Sequence, residues 1–76
     1  MNPQSIYHAY AMSYLELESA RAEAKPVPSS ILARLAGSDP GVLRAVMRAL
    51  KDVERGRPLR SKRQVVALFA ETAAAA

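Results

Sequence analysis

Between residues 40 and 55 the chain carries a helical period: Val42, Leu43, Val46, Met47, Leu50 and Val53 fall on one side, Arg44, Arg48, Lys51 and Arg55 on the other. Residues three, four and seven apart share a helix face, so the spacing predicts an amphipathic helix with a row of cations along its outer surface. Asp39-Pro40 supplies its start: a side-chain acceptor, then a residue whose missing N–H costs nothing in the first turn. Gly56 and Pro58 supply the stop.

Asn2-Pro3 is the same start signal, and the helix it opens meets no Gly or Pro before about Ala24. Its apolar positions are broad. Ile6, Tyr10, Ser13 and Leu17 form one row, Tyr7, Ala11, Tyr14 and Glu18 another, and Met12 and Leu15 lie between, the pattern of a helix wanted on two sides. Lys25-Pro26-Val27-Pro28 ends it, because a residue before proline is pushed out of the α region. Ser29 and Ser30 then cap a helix through Ala36, with Ile31, Leu32 and Leu35 inward and Gly37 in the left-handed position past its end. Ser61 to Gln64 fits the S-x-x-Q capping box, which starts a last helix at Lys62 with Val65, Val66, Leu68 and Phe69 as its apolar side; Ala73 to Ala76 has little to pack and is expected to fray.

No segment alternates with period two between turn signals, so no strand is expected. The prediction is an all-α fold, a compact bundle of about four helices (roughly 3–24, 29–36, 40–55 and 62–74), in one small domain spanning 1–76.

Composition narrows this picture. A chain of 76 residues buries only about 60% of its unfolded surface, so a partner or self-association would add useful burial. There is no cysteine, and His8 is the one histidine, so neither a disulfide nor a metal cluster is expected, and no cofactor is implied. No run of about 18 apolar residues exists to span a bilayer. Ser5, His8, Ser13 and Glu16 interrupt the N-terminal segment, so no secretory signal is expected and the location is read as cytoplasmic.

The net charge of +4 hides an asymmetry, since residues 1–39 carry three cations against four acids and residues 40–76 carry eight against three. The excess is concentrated in Arg44, Arg48, Lys51, Arg55, Arg57, Arg60, Lys62 and Arg63, interrupted only by Asp52 and Glu54. Such polarity suits a surface that meets a polyanion or an acidic protein. The plain alternative is a solvated outer face, on which Asp52 and Glu54 partly neutralise Lys51 and Arg55.

Catalysis finds little support. The chain has no G-x-S-x-G elbow, no phosphate-cradling glycine loop and no paired histidines. Glu16 and Glu18 are two apart and face different sides of a helix, as solvated surface would. His8 has neither a nucleophile nor an orienting carboxylate at helical spacing. Tyr7, Tyr10 and Tyr14 lie along one side of the first helix, which suits core or dimer-interface packing with the hydroxyls at the edge; they are the interface candidates.

Residues 29–50 resemble a helix-turn-helix DNA-binding motif, with Ala33, Gly37, Leu43 and Val46 at matching intervals, Leu32 and Ala36 in keeping, and Pro40 at the first position of the second helix. The resemblance implies that the N-terminal half of that helix enters the major groove, with Gly41, Arg44 and Ala45 near base edges and Arg44 able to pair with guanine. It makes the remaining cations phosphate contacts, which position without specifying sequence.

Two functions follow. One is a small non-enzymatic DNA-binding transcriptional regulator, a homodimer on double-stranded DNA. The other is a protein-interaction module of phage or plasmid type, an inhibitor or adaptor that docks its basic face on an acidic partner protein. Membrane-surface binding is weaker, because the basic helix lacks Trp or Phe on its apolar side and needs that side for its own core.

Overall fold

The computed structural model describes residues 3–37 and 40–75, with side chains for residues 4–37 and 40–69. They form four helices, α1 (Pro3–Ala22), α2 (Ser29–Gly37), α3 (Pro40–Glu54) and α4 (Lys62–Ala75), with no strand among the described residues. The all-α bundle is therefore as the periodicity predicts. The expected caps Asn2 and Asp39 lie outside the described residues, as does Ala76. α4 remains helical through Ala75, past the start of the alanine run expected to fray.

α1 is the spine. It buries Ala9, Tyr10, Ser13, Tyr14, Leu17 and Ala20, chiefly against Ala45, Val46, Ala49 and Val53 of α3 and Val65 of α4. Ala45 and Ala49 are fully buried, and their small side chains let α1 approach the α3 backbone closely. The innermost line of α3 thus runs through 45, 46, 49, 52 and 53. Leu43 and Met47, expected inside, are each 40% exposed, and Val42 and Leu50 are half-buried. α2 adds one fully buried side chain, Ile31; Leu35 is half-buried and Leu32, expected inward, is 57% exposed.

The helix ends follow backbone chemistry. The Ser61–Gln64 capping box is formed reciprocally: the Ser61 N–H donates to Gln64 Oε1 at 2.8 Å and the Gln64 N–H to Ser61 Oγ at 3.2 Å. α3 closes in a Schellman motif, with the Arg57 N–H on the Asp52 carbonyl, the Gly56 N–H on the Val53 carbonyl and Gly56 at φ +68°. Gly37 does not play that part in α2; it is the last helical residue and lacks a positive φ.

α1 ends in a second Schellman motif, the Lys25 N–H on the Ala20 carbonyl and the Ala24 N–H on the Arg21 carbonyl, ahead of the prolines expected to stop it. The left-handed residue here is Ala24, at φ 55°. A Cβ in that conformation costs about 1–2 kcal/mol, partly offset in a glycine variant by its freer unfolded chain. Ala24→Gly is expected to stabilise the fold by about 0.5–1 kcal/mol and raise the melting temperature by about 3–8 °C. A circular-dichroism melt that is unchanged or lower would contradict the geometry.

Candidate binding face and the buried network beneath it

The eight cations do not form one class. Arg60 turns inward: its Nε and Nη2 donate to Asp52 Oδ2 at 2.7 Å and Oδ1 at 3.1 Å, a bidentate pair. Asp52 is fully buried, and Tyr10 Oη donates to its Oδ2 at 2.7 Å. The Arg60 backbone N–H in turn donates to Tyr10 Oη at 3.2 Å. Chain reversal at Gly56 brings Arg60 back over the helix that carries its partner, and α1 holds the turn through two more bonds. Tyr14 Oη donates to the Arg57 carbonyl, and Arg21 Nη1 donates to the Val53 carbonyl at 2.6 Å.

Asp52 therefore does not neutralise Lys51 or Arg55, as the solvated-face reading expected. Nor does Arg60 stand with the outer row. Among the described residues the ion pairs are Lys25–Glu23, Arg34–Glu16 and Arg60–Asp52. Arg44, Arg48, Lys51, Arg55, Arg57, Lys62 and Arg63 are in none of them, and all but the half-buried Arg48 are exposed. The outer face of α3, the turn after it and the first turn of α4 thus carry cations that form no ion pair among the described residues, with Arg48 also feeling the charge of the buried Asp52.

The signal for Asp52 was present in the sequence. It lies three residues after Ala49 and seven after Ala45, on the small-residue face that packs against α1. Burial opposes its ionisation, yet hydrogen bonds from Arg60 and Tyr10, with the charges of Arg60 and Arg48, hold its carboxyl below the usual aspartate range. Burial, with the nearby Asp52 carboxylate, pushes the Tyr10 phenol up to about 12 against the opposing Arg60 hydrogen bond. Asp52 is thus held ionised and Tyr10 protonated, so the cluster keeps its protons in place and is poorly suited to transferring them. Every buried side-chain polar atom among the described residues has a partner.

The tyrosine row is resolved the same way. Tyr10 and Tyr14 are buried in the chain's own core, with their rings 6.0 Å apart; the Tyr10 hydroxyl bonds inward to Asp52, whereas that of Tyr14 reaches the exposed turn at Arg57. Tyr7 is half-buried, with its ring 6.5 Å from Tyr10. His8 is exposed. Glu16, expected as solvated surface, is half-buried and clamps α2 to α1: both Arg34 Nη atoms donate to its carboxylate and Ser30 Oγ donates at 3.3 Å. Ser30 is thereby directed at α1, and the hydrogen bonds from Arg34 lower the Glu16 pKa.

The helix-turn-helix positions divide. Val46 is buried, but Leu32, Ala33, Ala36 and Gly37 are exposed, and Leu43 is largely so. Arg44 is exposed near the start of α3, where the resemblance puts a base-reading side chain, whereas Ala45 is fully buried.

Among the described residues no three His, Cys, Asp or Glu side chains converge as metal ligands, and no helix is long and apolar enough to cross a membrane. Comparison with protein-family models, curated proteins and solved structures finds no match to the chain.

Proposed function

We propose that this chain is a small non-enzymatic binding module that docks the basic face of α3 and the start of α4 on an acidic partner protein. The carrying observation is the set of seven cations in no ion pair among the described residues, together with the burial of Asp52, one of the two acids that interrupt the row. Large apolar side chains, Leu43 and Met47, are exposed beside those cations. A mixed basic and apolar surface complements a folded acidic protein better than a phosphate backbone.

Duplex DNA is the second reading, favoured by the exposure of Arg44 and Lys51 along one helix, about 10 Å apart at 1.5 Å per residue, with Arg55 exposed in the turn that follows. The exposure of Ala33 and Leu32 takes from it the close helix crossing that the motif requires.

Titration with polyglutamate and with duplex DNA separates the two. Polyglutamate is expected to bind, and the double charge reversal Arg44→Glu with Lys51→Glu to weaken it by roughly tenfold or more. DNA binding tighter than polyglutamate, with a log–log salt slope near −4 to −5 for about five phosphates, would shift the assignment to nucleic acid. No binding of either at low salt would remove both.

A further inference from the structure

We infer that the groove between α3 and α4, floored by Leu43, Met47 and Phe69 and edged by Arg44, Arg48 and Lys51, seats an acidic amphipathic helix of the partner. The inference rests on the basic-face reading and names the epitope that face would take.

Three features select this occupant. The groove holds about 270 Å³, below the usual range of roughly 300–1,000 Å³ for small-molecule pockets, which suits the insertion of large side chains from a macromolecule. Its floor is apolar: Leu43 and Met47 stand four residues apart on α3, each 40% exposed, and Phe69 runs from the groove into the core. Methionine repacks readily around an inserted side chain. Arg44, Arg48 and Lys51 then form one rail along α3, at i, i+4 and i+7, about 10 Å long.

A phosphate backbone would leave the apolar floor unmatched. An extended peptide would find no strand edge, because the walls are helices whose backbone groups are bonded internally. A helix with acids on one flank and apolar anchors at i and i+3 or i+4 matches both floor and rail, the helix-in-groove mode of recognition.

The probe is a synthetic helical peptide of about 14 residues, some 21 Å long, with Glu on one flank and Leu and Phe anchors on the adjacent one. Its binding by fluorescence anisotropy is compared with that of polyglutamate of equal charge and of duplex DNA. The amphipathic peptide is expected to bind at least roughly tenfold more tightly than polyglutamate, and the uncharged Met47→Ser to remove most of that advantage while leaving polyglutamate binding nearly unchanged. Met47 is partly exposed, so this variant should fold, and its circular-dichroism spectrum checks that it does. Equal binding of both acidic ligands, insensitive to Met47→Ser yet lost in Arg44→Glu, overturns the groove and leaves the basic face standing. Failure of both ligands, or DNA binding more tightly than the peptide, overturns the reading beneath it.

Discussion

Asp52→Ala is expected to cost about 3–5 kcal/mol, lower the melting temperature by about 20 °C or more and leave much of the chain unfolded near physiological temperature. A domain of this length has on the order of 4–11 kcal/mol in hand, so one substitution removes a large part of it. The physical cause is orphaning. Arg60 keeps a guanidinium that is only 20% exposed, Tyr10 keeps a buried hydroxyl, and both lose their acceptor at once.

The loss would be specific to breaking the pair, because a buried ion pair offers little beyond its own desolvation cost. Asp52→Leu combined with Arg60→Met removes both charges, fills similar volume and is expected to recover most of the stability. Asp52→Asn keeps the shape without the charge and should fall between. Thermal melts of the three variants decide it: an Asp52→Ala melting within about 5 °C of the parent would mean that the network contributes little.

The helix pattern was legible because it rests on local chemistry. Pro3, Pro40, Gly56 and the Ser61–Gln64 box mark starts and stops through backbone hydrogen bonding, which acts within a few residues. The rotation of α3 was harder to read. Its large apolar residues suggested an inner face through Leu43 and Met47, but close approach of α1 favours the small Ala45 and Ala49, which turns Asp52 inward. Ala24 in a left-handed conformation carries no signal at all, since alanine ordinarily continues a helix.

The candidate face was legible as charge but not as direction. Arg60 counts like its neighbours in any tally of residues 44–63, and only the chain reversal at Gly56 carries it to Asp52. The tyrosine spacing likewise gave a shared side of α1 without saying what would cover it. The acceptors of Tyr10 and Tyr14, Asp52 and Arg57, lie 42 and 43 positions further along the chain. Such pairings depend on tertiary approach, which periodicity does not encode.

The same network should set the pH range of the fold. Asp52 titrates lower in the folded chain than in the unfolded one, so its contribution is full above about pH 4 and is lost as pH falls through the folded value. Tyr10 has the opposite sign. Its folded value of about 12 lies above the ordinary 10.0, so its contribution is full below pH 10 and is lost as pH rises through about 12. Two units on a fully buried group correspond to about 2–3 kcal/mol of stability disappearing across that alkaline window. The buried Tyr14 is raised as well, chiefly by burial and then by the nearby Glu18 carboxylate, and steepens the same limb. Melting temperature against pH should therefore show a plateau from about pH 4 to 10 with a fall at each end. Tyr10→Phe should lower the plateau, because Asp52 loses a donor and the Arg60 N–H an acceptor, while making the alkaline fall shallower. If the variant fell as steeply as the parent between pH 10 and 12, the alkaline transition would belong to some other group and not to the Tyr10 phenol.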